Sequence, residues 1–167
     1  MPSTYHFSHP PFLSKYNKNN KNKYLSMFTG EYNHTIDQKG RLIIPNKFRN
    51  LLGDVFIITK GIDDCLEIYD KETWDKFSEK INSLPYANKS AREFKRIFIG
   101  RALDVSPDKM GRVQLTVALR NVADLKSDIT FLGVGDHIEL WDTEMFKKKN
   151  NFDDTDELSR KMEGLNI

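Results

Sequence analysis

The chain contains an internal repeat, and this repeat constrains the fold more than any local pattern does. Asp37-Gln38-Lys39-Gly40-Arg41 returns 71 residues later as Asp108-Lys109-Met110-Gly111-Arg112. The match continues beyond both segments, and from Gly61 and Gly133 onward the offset becomes 72. A repeat at this spacing predicts one chain built from two copies of a small unit. Each copy presents a basic turn that contains a glycine.

The two copies share one predicted order of elements: strand, turn, strand, short helix and a further pair of strands. Asp at the first position and Gly at the fourth suit a type I turn. This glycine can take the left-handed conformation that a bulged hairpin requires. Pro45 starts the short helix and Gly53 ends it, and Thr116 is a reasonable N-cap where the first copy has Pro45. At about 45 residues a copy has too few layers to be stable alone. We therefore expect a β-rich α+β fold, in which two pseudo-symmetric units form one β-barrel-like core with flanking helices.

Composition and patterning divide the chain into five segments. Residues 1–26 are rich in Asn and Lys and lack periodicity, which predicts a disordered extension. A basic arm that touches DNA phosphates is the alternative interpretation. The first unit is predicted over 31–73, connecting helices over 74–101, the second unit over 102–145 and a helical tail over 146–167.

Charge is distributed unevenly along the chain, whose net charge is +2. Residues 27–53 and 87–120 carry +2 and +5, whereas residues 54–86 and 121–167 carry −4 and −5. Positive charge thus gathers around both turns, as in proteins that bind polyanions through local patches. No apolar run is long enough to predict a membrane span. A single cysteine, Cys65, fits a reducing, cytoplasmic environment.

The sequence gives little support for an enzyme. His34 and His137 lie in strand patterns without ligand spacing, and no His-x-x-x-His or Cys-x-x-Cys pair is present. A serine nucleophile elbow and a phosphate-binding glycine-rich loop are also missing. The doublets Asp63-Asp64 and Asp153-Asp154 are interpreted as solvated turns. We therefore expect no catalytic residue, no metal site and no cofactor.

The two turns carry the candidate DNA-binding residues. An arginine can bind a phosphate or a guanine edge through two hydrogen bonds, and a lysine adds a point charge. The adjacent glycine lets the backbone approach a partner closely, and a β-hairpin fits the major groove. Ordinary solvated turns are the alternative, because a duplicated fold also duplicates its turns. The candidate contacts are Lys39, Arg41, Lys109 and Arg112, with Asp37, Gly40, Asp108 and Gly111 setting the turn geometry.

From Met27 to about Asp142 the chain resembles the MraZ family. The resemblance lies in the opening Met-Phe-x-Gly, both Asp-x-x-x-Arg turns, Pro45-x-x-Phe-Arg49, Ile99-Gly-Arg-Ala102 and Glu139-Leu-Trp-Asp142. It implies two AbrB-like (SpoVT-AbrB) swapped-hairpin units per chain and a ring-shaped homo-oligomer. It also implies a DNA-binding transcription factor of the cytoplasm and nucleoid. Such a factor would bind direct repeats in a promoter and repress the bacterial division and cell-wall operon, its own gene included.

Two of the differences between the copies bear on the second turn. Met110 stands where the first copy has Lys39, and Thr116 stands where it has Pro45. We therefore expect Arg41 to contribute more to binding than Arg112. Two other functions stay open: a β-rich adaptor whose basic turns bind an acidic protein partner, and RNA binding. The lack of a stacking aromatic in either turn argues against readers of single strands.

Overall fold

A computed structural model describes residues 27–150, 155–163 and 165 of the chain. Residues 27–150 form one compact unit. Beyond it one helix is described, Thr155–Glu163, where the sequence predicts a C-terminal helix. The predicted extension over 1–26 and the doublet Asp153-Asp154 lie outside the described residues.

The unit over 27–150 is a β-rich α+β fold, which confirms the predicted class. The predicted order of strand, strand, short helix and two further strands occurs once per copy, with two helices after the first copy and one after the second. The strands and helices are β1 (Phe28–Thr35), β2 (Arg41–Ile43), α1 (Asn46–Leu52), β3 (Phe56–Lys60), β4 (Leu66–Asp70), α2 (Lys71–Asn82), α3 (Lys89–Phe98), β5 (Leu103–Val105), β6 (Arg112–Gln114), α4 (Val117–Val122), β7 (Asp128–Gly135), β8 (Ile138–Asp142) and α5 (Thr143–Lys149).

Two antiparallel sheets interleave the copies. The larger sheet has the order β1-β7-β8-β4-β3-β5, so the first strand of each copy pairs with the third strand of the other. At its centre Glu67 lies opposite Glu139, its equivalent in the repeat. The smaller sheet is the ribbon β2–β6, in which Leu42 lies opposite its equivalent Val113. A pseudo-twofold axis therefore passes through both sheets, at β4–β8 and at the ribbon.

The strands on either side of each turn do not pair with each other. β1 pairs with β7, and β2 pairs with β6. Only the turn itself closes locally, where the Asp37 N–H donates to the Arg41 carbonyl at 2.8 Å. The predicted bulged hairpin between the strands of one copy is therefore wrong beyond the turn. Each flanking strand pairs instead with a strand of the other copy.

The main core lies between the inner face of the large sheet and the ribbon. Phe48 of α1 is fully buried and packs edge-to-face against Phe28 of its own copy and Phe131 of the other. Such aromatic contacts bury large apolar areas and favour one geometry. On the outer face of the sheet, α2 packs Trp74 on Tyr69 and α5 packs Phe146 near Trp141. The apolar stripes of these helices thus contribute to packing, as predicted.

The two short helices begin after different N-cap residues, Pro45 and Thr116. α1 begins directly after Pro45 and ends at Gly53, whose φ is +79°. In the second copy the Thr116 hydroxyl accepts from the Leu119 N–H at 3.2 Å and so caps α4. These two helices hold the core residues that lie behind the turns.

Candidate nucleic-acid interface

The first turn, residues 37–41, is held closed by its own aspartate. The Asp37 Oδ1 atom accepts from the backbone N–H groups of Lys39 and Arg41 at 2.8 and 2.9 Å. Its Oδ2 atom accepts from Arg41 Nε at 2.8 Å. Gly40 adopts φ +77°, a left-handed conformation that a side chain would strain. Every residue of the Asp-x-x-Gly-Arg pattern therefore has a structural role.

The second turn, residues 108–112, repeats this geometry. The Asp108 Oδ1 atom accepts from the backbone N–H groups of Met110 and Arg112 at 2.8 and 3.0 Å. Its Oδ2 atom accepts from Arg112 Nε at 2.7 Å, and Gly111 adopts φ +75°. The duplicated motif is thus also a duplicated conformation.

These hydrogen bonds favour the ionised form of both carboxylates and so lower their pKa values. The backbone N–H of Arg41 is the main cause of the lowered pKa of Asp37, and that of Arg112 is the main cause for Asp108. Each carboxylate holds its arginine through Nε only, and Nη1 and Nη2 have no hydrogen-bond partner in the part of the chain that the structure describes. Arg41 and Arg112 are 35% and 34% exposed. Each guanidinium group therefore has two nitrogens, Nη1 and Nη2, left for an external acceptor.

Both arginines lie on one surface. Side chains alternate between the faces of the ribbon, so Leu42 and Val113 point into the core while their neighbours point outward. Arg41 lies opposite Gln114, two residues beyond Arg112 on the same strand. The two arginines are therefore diagonal neighbours, with Cα atoms about 7–8 Å apart. Lys39, Lys109 and Met110 are exposed on the turns beside them.

The backbone locks the two turns to each other across the pseudo-twofold axis. The Leu115 N–H donates to the Gly40 carbonyl at 2.9 Å, and the Ile44 N–H donates to the Gly111 carbonyl at 3.1 Å. Each turn is thus fastened by the strand end of the other copy. A displacement of one turn would break hydrogen bonds of both copies.

Two further arginines, Arg49 and Arg120, lie against the turns and are missing from the predicted contacts. Each extends from the last turn of its helix, α1 or α4, to the turn of the other copy. A Cβ atom added to Gly40 would lie 3.1 Å from Arg120 Cζ, and one added to Gly111 would overlap Arg49 Nη1. The repeat alignment already matches Arg49 with Arg120, and that match is their signal in the sequence. We call the surface formed by Lys39, Arg41, Lys109 and Arg112 the turn face, and Arg49 and Arg120 lie behind it.

Both copies of the repeat match one known protein family. Residues 27–97 and 98–162 both match the family described as "MraZ protein, putative antitoxin-like". The chain belongs to the MraZ family. The resemblance predicted from the turns and the flanking motifs is thereby confirmed.

Relatives of high similarity cover most of the chain. The protein of Clostridium tetani named Transcriptional regulator MraZ is 44% identical over 142 residues, which is 84% of this chain and all of the relative. Its namesake in Thermoanaerobacter pseudethanolicus is 41% identical over 143 residues, with the same coverage. That of Lachnoclostridium phytofermentans is 46% identical over 136 residues, covering 81% of this chain and 95% of the relative. The family is thus one of transcriptional regulators.

The surroundings of the two turns differ in this MraZ chain. Gln114 Nε2 donates to the Lys39 carbonyl at 3.2 Å, whereas the equivalent of Gln114 in the first copy is Ile43, which has no amide. Arg49 Nη2 donates to Asn46 Oδ1. The equivalent of Asn46 is Val117, so Arg120 lacks that acceptor. The inner geometry of the turns is the same, but their outer contacts are not.

Other polar groups of the MraZ unit serve packing or solvation. Among the described residues, no group of three or more His, Cys, Asp or Glu could hold a metal ion. The helices of this described part include none that is long and apolar enough to cross a membrane. Cys65 is buried, which raises the pKa of its thiol and makes a reactive thiolate scarce. Asp64 pairs with Lys149, and the His137 ring stacks on Tyr69.

Proposed function

We propose that this MraZ-family regulator binds double-stranded DNA through the turn face. The observation that carries the proposal is the pair Arg41 and Arg112, diagonal on one outward surface, each held through Nε by its own aspartate. A clamped arginine has already lost part of its rotamer freedom, so less entropy is lost when it binds. Lys39 and Lys109 add charge at the two ends of that surface.

The spacing of the arginines suits the major groove of B-DNA. The groove is about 12 Å wide and admits a two-stranded β-ribbon. Cα atoms about 7–8 Å apart leave both guanidinium groups within one groove. There the two free nitrogens of an arginine match the O6 and N7 acceptors of guanine, or two oxygens of a phosphate. Arg41 and Arg112 would read or clamp the DNA, and the lysines would contact phosphates.

A single chain has too few contacts for tight binding. Four cations neutralise at most about four phosphates, which gives a salt slope of roughly −3.6 on duplex DNA. We propose that the chain acts as a ring-shaped homo-oligomer on direct repeats in a promoter. Joining several turn faces in this way adds about 10²–10⁴ in avidity. The promoter would be that of the bacterial division and cell-wall operon, which includes the gene of this chain. Bound protein would repress the promoter by occlusion. This role, exercised at the nucleoid, needs neither a catalytic group nor a cofactor.

The contact residues are tested with the double variant Arg41→Ala/Arg112→Ala and a duplex that carries short direct repeats. Each bidentate arginine is worth about 1–3 kcal/mol, so we expect the double variant to bind at least 30-fold more weakly. Lys147→Ala is the charge control, because Lys147 is exposed on α5, which packs on the sheet face opposite the ribbon. Fluorescence anisotropy gives both affinities.

Two results would contradict the proposal. Unchanged binding by the double variant would exclude the arginines as contacts. An oligomer that binds no repeat-containing duplex at low salt would favour the adaptor for an acidic protein. Light scattering with size exclusion tests the ring separately, and a monomer at micromolar concentration would count against it.

A further inference from the structure

Arg120 belongs to the second copy but completes the surroundings of the first turn. Its guanidinium lies on Gly40, with Cζ, Nε and Nη2 at 3.1–3.2 Å from the position of a Cβ at that glycine. Gly40 itself lies between Lys39 and Arg41. Three cations from two copies therefore surround one turn.

The hydrogen bonds of Arg120 are incomplete. Its Nε atom is buried without a partner, and no acceptor for its guanidinium lies among residues 27–150 or in the described helix beyond them. Arg49, its equivalent at the second turn, donates to Asn46 instead. A partly buried guanidinium without an acceptor is unfavourable until an anion or water binds it. Since Nε itself is buried, an external anion would bind Arg120 through Nη1 and Nη2, which are not buried and have no acceptor among the described residues.

The charges around the first turn are also unbalanced. The nearest acid of the turn is Asp37, and both of its oxygens already bind groups of the turn, Arg41 included. No carboxylate within 4.0 Å of Arg120 occurs in the described chain. The positive charges of Lys39 and Arg120 therefore remain uncompensated beside the arginine that faces DNA. A phosphate carries the charge and the oxygen acceptors that this place lacks.

We propose that Arg120 binds a backbone phosphate of DNA beside the first turn, while Arg49 is a positioning residue that holds the second turn through Gly111. This inference rests on the proposed DNA binding. Each contact with DNA is then built by both copies, since one copy supplies the turn and the other supplies the arginine behind it. The first turn gains a phosphate contact that the second turn lacks.

The test compares Arg120→Gln with Arg120→Lys in the full chain. Glutamine keeps the side-chain stem against Gly40 but removes the charge, and lysine restores the charge. We expect Arg120→Gln to reduce the magnitude of the salt slope by about 0.9 for each engaged first turn and to weaken binding roughly fivefold at 0.15 M salt. Arg120→Lys should keep the wild-type slope. Arg49→Gln should lower the thermal midpoint but leave the slope unchanged.

The possible outcomes separate this inference from the proposed function. If wild type binds and requires Arg41, but Arg120→Gln keeps the full slope, Arg120 is structural and the inference fails alone. If wild type binds no duplex, both fail together. If Arg120→Gln does not fold, Val117→Asn replaces it. That exposed substitution offers Arg120 an internal acceptor and should weaken binding, and wild-type affinity in this variant would overturn the inference.

Discussion

The two turns have the same internal geometry but different neighbours. Their hydrogen bonds agree within 0.1 Å, and their glycines differ by 2° in φ. Yet the first turn has Lys39, a hydrogen bond from Gln114 and the unpaired Arg120 behind it. The second has Met110 at the position of Lys39, Lys109 one residue earlier, and Arg49, which is hydrogen-bonded to Asn46. A short motif thus sets a local conformation, whereas the other copy decides what that conformation presents to a ligand.

The largest expected difference between the turns concerns stability. Gly40→Ala and Gly111→Ala both place a side chain at positive φ, which costs about 1–2 kcal/mol. At Gly111 the new methyl group also overlaps Arg49, which Asn46 holds in place. We expect about 1 kcal/mol of destabilisation for Gly40→Ala and about 3 kcal/mol for Gly111→Ala. Urea denaturation measures both values.

Gly53→Ala is the matched control for that comparison. Gly53 has φ +79° with no atom within 4 Å of an added Cβ, so it reports the cost of the left-handed backbone alone. Equal effects at Gly40 and Gly111 would show that Arg49 moves aside as easily as Arg120.

The next difference concerns affinity for DNA. Arg41 lies in the turn that Gln114 fastens and Lys39 accompanies, whereas Arg112 has Met110 beside it. We expect Arg41→Ala to weaken binding about twentyfold and Arg112→Ala about fivefold, both in the lower half of the range of about 1–3 kcal/mol for one arginine contact. Anisotropy titrations on the direct-repeat duplex measure both. A larger loss for Arg112→Ala would reverse the predicted order of the turns.

A smaller change places a lysine directly before the glycine of both turns. Met110 is 66% exposed, so Met110→Lys adds a cation to the second turn without disturbing packing. We expect the magnitude of the salt slope to rise by about 0.9 per engaged turn, with binding tightened up to about fivefold at 0.15 M salt. Lys39→Met is the reciprocal variant and should lower the slope equally. A slope that does not change in either variant would place these side chains away from the phosphates.

The pH dependence should not distinguish the turns. Hydrogen bonds from the N–H groups of Arg41 and Arg112 hold the pKa values of Asp37 and Asp108 below the ordinary 3.8. Their contribution to stability is therefore present above that value and is lost as the pH falls through the folded pKa. We expect Asp37→Asn and Asp108→Asn to remove equal parts of the acid-dependent fall in the thermal midpoint between pH 6 and 2. Unequal effects of the two substitutions on this fall would show that the two carboxylates differ in surroundings and not only in their matching turn hydrogen bonds.

The sequence predicts the features whose causes are local. An aspartate and a glycine at fixed spacing determine each turn, and Gly53 and Thr116 mark helix ends through backbone geometry and a hydroxyl cap. For this reason the repeat, the helices and the fold class are predictable. The predicted contacts Arg41 and Arg112 do lie on one surface, and their role in DNA binding stays a prediction.

Partners that are distant in the chain could not be read from local patterns. The alternation in β1 suits a hairpin with β2 as well as a ladder with β7, and only a shared core decides between them. From the sequence alone, Arg49 and Arg120 look like ordinary solvated cations near helix ends, where positive charge is favourable. Their packing on the glycines of the other copy follows from the pseudo-twofold axis, which is a property of the assembled fold.

The exchange of first strands between the copies has a consequence for synthesis on the ribosome. β1 is among the first elements of the unit to be made, but its ladder partner β7 ends at Gly135, near the end of the unit. The N-terminal half therefore cannot complete its sheet while the chain is still short, unlike a protein whose domains fold one after another. The backbone groups of Phe28–Thr35 that pair with β7 cannot form those hydrogen bonds until the second copy has left the ribosome. A stop codon anywhere before β7 would leave a fragment with an open strand edge, a substrate for chaperones and proteases.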